Sequence, residues 1–177
     1  GTQLPFVCQD LVALPEYTVV GDRLTWSGAL SYCEARGGSL ARIAYAAEHA
    51  YLLALIGGAD GVGDAWVGGH DDAVEGEWRW SLDGSSFPPS ESPDLAYSNW
   101  SQIATPQPND FGAGEDCMAV LVQGTSFAAA GHWADQGCGT QLPFVCQDLV
   151  ALPEYTVVGD RLTWSGALSY CEARGGS

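Results

Sequence analysis

The chain has 177 residues, with 22 Asp and Glu against 6 Arg and no Lys, for a formal charge of −16. A surface this acidic repels nucleic-acid phosphates and anionic bilayers, which excludes nucleic acid and membrane insertion as partners. With 46% hydrophobic residues and 7 Trp the chain has ample core material and does not read as disordered. Its longest strictly apolar run, Ala50–Ile56, falls far short of the roughly 20 residues that span a bilayer.

One feature organises everything else. Residues 1–39 recur letter for letter at 139–177, an offset of 138. Identity of this length marks a repeat, and it predicts a tandem array. Residues 1–9 then read as the last strand of a preceding repeat and 10–16 as a linker. Residues 17–147 read as a complete domain, 148–154 as the next linker and 155–177 as the start of the next repeat. The joint Gln9–Glu16 (QDLVALPE) is short and partly apolar, which predicts neighbours held close and semi-rigid.

In chain order, Tyr17–Val20 predicts a short β-branched strand. Thr25 is placed to cap a helix running to about Arg36, with Trp26, Ala29, Leu30 and Cys33 on one face and Gly37-Gly38 as its stop. A second helix is predicted from about Ala44 to Ile56, ended by Gly57-Gly58. Short strands follow at Ala65–Gly68, Glu77–Trp80, Met118–Val122 and Leu142–Gln147. Between Trp80 and Met118 lies a long stretch rich in Ser, Pro, Asn and Gly, which predicts a functional loop region because its carboxylates and amides cluster.

The cysteine count changes once the repeat is seen. Cys8 copies Cys146 and Cys171 copies Cys33, so each repeat owns Cys33, Cys117, Cys138 and Cys146. Four cysteines allow three pairings. None has C-x-x-C spacing, so a disulfide framework in an oxidising, extracellular setting is favoured over zinc. One arrangement, Cys8–Cys33, Cys117–Cys138 and Cys146–Cys171, uses all six and would staple units across the linkers.

Oxygen donors concentrate at Asp71 and Glu75 (HDDAVEG), Gln107-Pro108-Asn109-Asp110, Glu115-Asp116 and Asp135. Loops of this composition wrap calcium, which takes six to eight oxygens from carboxylates, amide carbonyls and water. The bland alternative is a solvated acidic face. His49, His70 and His132 share no metal spacing and read as packing or surface residues. No G-x-S-x-G, H-E-x-x-H or phosphate-cradling loop occurs, so no enzyme is predicted. Trp66, Trp78, Trp80, Trp100 and Trp133 read chiefly as core, with a sugar-stacking platform as the alternative. Asn99-Trp100-Ser101 fits the N-glycosylation pattern, and Ser85–Pro93 (SSFPPSESP) reads as an exposed stretch open to O-glycans or as a plain loop.

Taken in order, WSGALSYCEARGGSLA, AWVGG, EGEWRW, YSNW, the Gln-Pro-Asn tripeptide, GEDC, WAD and the closing PFVC resemble the C-type lectin-like domain family over about residues 17–147. The resemblance implies an α+β fold of two helices, small antiparallel sheets and a long loop region, stapled by Cys33–Cys146 and Cys117–Cys138. Cys8 and Cys171 are then expected to lack partners within the chain. It implies a calcium site at Asp71, Glu75, Asp110, Glu115 and Asp116. A second, sugar-binding site would fall at Gln107, Asn109, Glu115 and Asp135. That site departs from the family pattern, because the tripeptide is a hybrid and Ala134 stands where an amide ligand is usual. Pro108 resembles the family's cis proline. The function expected from repeat and resemblance together is an extracellular structural or adhesive filament or coat of calcium-stabilised domains joined head to tail to copies of themselves. The alternative is a multivalent calcium-dependent lectin binding glycans.

Overall fold

The computed structural model describes residues 4–9, 16–88, 97–103, 105–111, 114–124, 126, 128–148 and 155–162, the first and last of these as backbone. The chain divides into two units, one formed by Gly1–Glu16 with Val150–Ser177 and the other by Tyr17–Leu149. In the first unit, β1 (Leu4–Gln9) pairs antiparallel with β9 (Tyr155–Leu162).

The second unit begins with β2 (Tyr17–Leu24), longer than the four residues expected because Gly21–Leu24 continue extended past a register irregularity. Thr25 caps α1 (Trp26–Glu34) by accepting from Gly28 N at 3.2 Å. The helix ends two residues before Arg36, whose guanidinium lies 3.5 Å from the centre of the Tyr32 ring, and Gly37 turns the chain at φ 84°. A short strand that sequence reading missed, β3 (Gly38–Leu40), follows immediately. The second helix, α2 (Ala46–Gly57), has no side-chain cap at Tyr45; instead Glu48 Oε2 accepts from Ala44 N at 2.6 Å. The remaining strands are β4 (Ala65–His70), β5 (Arg79–Trp80), β6 (Cys117–Leu121), β7 (His132–Gln136) and β8 (Leu142–Asp148).

The expectation of small antiparallel sheets needs one correction. Seven strands form a single mixed sheet in the order β2-β8-β4-β6-β7, with β3 on β8 and β5 on β4. Within it β4 and β8 run parallel, Trp66 facing Phe144. Parallel neighbours need a long connection, and here it runs through β5, the loop region, β6 and β7.

The period-2 alternation of these strands divides the core into two layers. Trp66, Ala119, Phe144 and Cys146 point to the face that holds Trp26, Ala29 and Cys33 of α1. Ala65, Val67, Met118, Val120 and Val145 point to the other face, against Leu52 and Ile56 of α2. The same layer takes in Trp78, Trp80, Phe87, Trp100 and Trp133, so the tryptophans after Trp66 build the base of the loop region. Trp100 meets Trp78 edge-on at 4.5 Å and Trp80 stacks on Phe87 at 4.3 Å. These rings are buried, so none is a free sugar-stacking platform.

Two disulfides pin this arrangement. Cys33–Cys146 joins α1 to β8, and Cys117–Cys138 joins β6 to the segment after β7. The pairing of Cys33 with Cys146 excludes the arrangement that linked all six cysteines across the linkers.

Candidate functional site

The acidic site grows from the ends of β4 and β6. These strands pair antiparallel with His70 opposite Cys117, so the residues just beyond the pair, Asp71 and Asp116, are brought side by side. Asp71 N donates to Asp116 O at 3.1 Å, which holds the two backbones together. The turn after β4 then brings Glu75 back, because Asp71 Oδ2 accepts from Gly76 N at 2.9 Å. Carboxylate oxygens of Asp71, Glu75 and Asp116 all lie within 4.8 Å of one another.

Like charges this close are costly without a counter-ion. Burial, followed by the neighbouring Glu75 and Asp116 carboxylates, pushes the Asp71 carboxyl up to about 6. Glu75 is raised as well, by desolvation and by Asp110, Asp116 and Asp135. Asp71 is 3% exposed and its Oδ1 has no hydrogen-bond partner. A buried carboxylate oxygen of this kind is unfavourable unless a cation or proton meets it.

The other two residues expected at this site serve the loop itself. Asp110, at φ 43°, accepts from Gly114 N and Glu115 N through Oδ1. Glu115 Oε2 accepts from Phe111 N at 3.1 Å. The structure therefore brings together Asp71, Glu75 and Asp116, while Asp110 and Glu115 tie the adjacent turn.

The second expected site sits where the loop crosses β7. Asp135 Oδ2 accepts from both Asn109 N and Asp110 N at 2.7 Å, seating the tripeptide on the strand. The Gln107–Pro108 peptide is cis. Gln107 Oε1, Asn109 Oδ1 and Asp135 Oδ1 are all buried oxygens without a hydrogen-bond partner. Desolvation raises the Asp135 carboxyl above its usual range. Ala134 supplies no oxygen and packs with Leu121 and Ala128.

Sequence reading missed the residues that hold the loop on the sheet. Trp133 N donates to Asn99 O and Ser101 N to Trp133 O, both at 2.9 Å, in a parallel bridge between Trp100 and Trp133. Asn99 Nδ2 donates to Gly131 O and lies 3.0 Å from His49 Nδ1, which also meets Tyr97 Oη at 2.9 Å. The only sequence signal was YSNW itself. Asn99 thus spends its amide inside the fold and Ser101 is fully buried, so any glycan on Asn99 would have to be attached before folding and would displace both contacts. His49 is buried, His70 Nδ1 contacts Asp72 Oδ1 at 2.6 Å, and neither joins an oxygen cluster. Of Ser85–Pro93, residues 89–93 lie outside the described set; Phe87 is core.

The matching family model is the lectin C-type domain, over residues 22–148. The chain belongs to this family. It is 35% identical to tetranectin from Homo sapiens over 127 residues, covering 70% of this chain and 54% of that protein, so it spans about half of that relative's length. Human lithostathine shares the fold with a TM-score of 0.60 and 28% identity, over 79% of this chain and 95% of that one. The cow CD23 C-type carbohydrate-recognition domain, solved in the presence of a GlcNAc2Man3 oligosaccharide, matches with a TM-score of 0.58 and 28% identity. That match covers 77% of this chain and 88% of the other. Among the described residues no helix is long and apolar enough to cross a membrane.

Proposed function

We propose that this C-type lectin domain is an extracellular, non-enzymatic, calcium-dependent module that binds carbohydrate. The observation that carries the reading is the carboxylate group of Asp71, Glu75 and Asp116 together with the tripeptide seated on Asp135, with buried acceptors left unpartnered in both: Asp71 Oδ1 in the first, and Gln107 Oε1, Asn109 Oδ1 and Asp135 Oδ1 in the second. A hard, oxygen-seeking cation fits this donor set, and thiolate- or imidazole-seeking metals do not. Asp71, Glu75 and Asp116 would hold the first ion, with Asp110 and Glu115 ordering the turn beside it. Gln107, Asn109 and Asp135 would hold a second, with fewer charges and no donor from Ala134. Calcium held there would neutralise the carboxylates and offer a Lewis-acidic contact to sugar hydroxyls. The protein's own contribution is rigidity, since the Asp135 bonds to Asn109 N and Asp110 N fix the loop on β7 before any ligand arrives.

Calorimetric titration of calcium followed by a glycan array with and without chelator tests this. Glycan binding that disappears with chelator supports it. Glycan binding unchanged by chelator, or no calcium binding, overturns it.

A second reading is favoured by the recurrence of residues 1–39 at 139–177. In it the same module repeats head to tail in a structural or adhesive array. The family model matches once, over residues 22–148, so this reading rests on the sequence. Electron microscopy of the secreted full-length protein distinguishes regular filaments from dispersed particles.

A further inference from the structure

The stretch from Asn99 to Gln107 is bonded to β7 and to itself. Trp133 N donates to Asn99 O and Ser101 N to Trp133 O, both at 2.9 Å, and Gln107 N donates to Ser101 O at 2.7 Å. From α2, His49 reaches the same stretch. It is 3% exposed and lies edge-on to the Trp133 ring, with centroids 5.7 Å apart. Its Nδ1 meets Tyr97 Oη at 2.9 Å and Asn99 Nδ2 at 3.0 Å, and its Nε2 has no hydrogen-bond partner among the described residues. Nothing in the proposed calcium chemistry uses this histidine.

Asn99 fixes the tautomer of the ring. Its Nδ2 donates to Gly131 O at 3.0 Å, so the amide nitrogen rather than the oxygen faces inward. That same nitrogen donates to His49 Nδ1, which must therefore be the bare acceptor, with the ring proton on Nε2. We propose that His49 is a proton-operated latch: neutral, it holds Asn99 and the base of the loop region against α2, and protonated at Nδ1 it expels Asn99. A protonated Nδ1 is a donor, and it then faces the N–H of Asn99, which is also a donor. Turning the Asn99 amide over offers its oxygen to the imidazolium but aims its inward oxygen at Gly131 O, a second acceptor. Either orientation forfeits one of the two bonds and leaves a buried polar group unpaired. Tyr97 escapes this conflict, because its hydroxyl can turn from donating to accepting. The break therefore falls on Asn99.

The titratable groups around the ring keep the latch closed near neutral pH. Burial, and to a lesser degree His132 on β7, lower the pKa of His49 to about 4. On α2 the adjacent Glu48 gives Oε2 to Ala44 N, and from the loop Tyr97 contributes its neutral hydroxyl. In the folded domain the latch is thus closed above about pH 4 and opens as the pH falls through that value. Opening strains the Asn99 carbonyl bond to Trp133 N, two residues before Asp135, and the Ser101 carbonyl that holds Gln107 N. The acid form loosens the ground beneath the tripeptide with or without an ion there, so the latch goes beyond the calcium reading and does not rest on it.

Residue-resolved amide hydrogen exchange of the full chain in chelator tests this. Between pH 7 and about pH 3, protection of the Ser101, Gln107 and Trp133 amides, corrected for intrinsic rates, should fall by roughly tenfold relative to the amides of β4 and β6. His49→Asn places an oxygen where Nδ1 stands, accepts from Asn99 and does not titrate, so its protection should stay level over the same range. His49→Ala should show the loosened loop already at pH 7. A long-range nitrogen–proton correlation spectrum of the unsubstituted chain reads the tautomer without any variant and should place the ring proton on Nε2 at pH 7. A proton on Nδ1, an equal fall in His49→Asn, or loop and sheet amides losing protection together would overturn the proposal.

Discussion

Asp71 carries opposing demands that a single substitution separates. Its carboxylate is buried, faces Glu75 and Asp116, and is held up to about 6 chiefly by burial. Asp71→Asn removes the charge but keeps an acceptor for Gly76 N. Calcium affinity should fall at least tenfold by calorimetry, while the melting temperature in chelator rises because like-charge repulsion is gone. An unchanged calcium affinity would show that Asp71 is not a ligand but only the acceptor for Gly76 N. Ala134 makes the reverse case. Ala134→Asn restores an amide donor beside Asp135 but pushes a polar side chain toward Leu121 and Ala128. It should lose about 1–3 kcal/mol of stability in chelator and gain calcium-dependent sugar affinity on a glycan array.

His49 predicts the pH response. Burial, with His132 as the lesser cause, lowers its pKa to about 4, so it stays neutral between Tyr97, Asn99 and Trp133. The unfolded chain takes up its proton near pH 6.5 while the folded domain refuses it until about pH 4. Stability from this site is therefore whole above pH 6.5 and is lost as the pH falls through that window, by roughly 3 kcal/mol in all. Urea melts of His49→Gln between pH 7 and 4 should show a shallower decline than those of the unsubstituted protein.

At the scale of elements, the site depends on β4 being crowded on every side. Gly68 N donates to Ala41 O and its carbonyl accepts from Ser81 N, both at 2.8 Å. A Cβ there would fall 2.9 Å from Leu40 O and 2.7 Å from Ser81 Oγ. Gly68→Ala should destabilise the domain by about 1–3 kcal/mol and loosen calcium binding with it, since Asp71 is the third residue beyond. Equilibrium unfolding measures the first effect and calorimetry the second. The elements visible in the sequence were those with a pattern of their own: Trp26, Ala29 and Cys33 at helical spacing on α1, and the short apolar runs of β4, β6 and β8, which are buried on both faces. The strands β3 and β7 were not visible. Gly38–Leu40 has three residues and no pattern, and His132–Gln136 alternates only weakly, so each exists because a neighbour supplies the hydrogen bonds.

At the scale of the whole domain, the disulfides and the proposed calcium would act on different ends of one problem, a long loop region on a small core. Cys33–Cys146 closes a separation of 113 residues. Replacing both cysteines by Ser should cost about 4–5 kcal/mol in the chain-entropy account, read by denaturant titration. Calcium at a hundred times its dissociation constant should return about 2.7 kcal/mol to the domain, seen as a melting temperature that rises with calcium and collapses with chelator.

By itself the sequence determined the family, the concentration of carboxylates and amides in the loop region and the recurrence of residues 1–39, because these are properties of residue type and spacing along one chain. The parallel placement of β4 beside β8, the burial that raises Asp71, the division of labour between Asp116 and Asp110, and the pairing of β1 with β9 were decided only in three dimensions. Each depends on which distant segment desolvates or hydrogen-bonds a residue, and no local pattern records that.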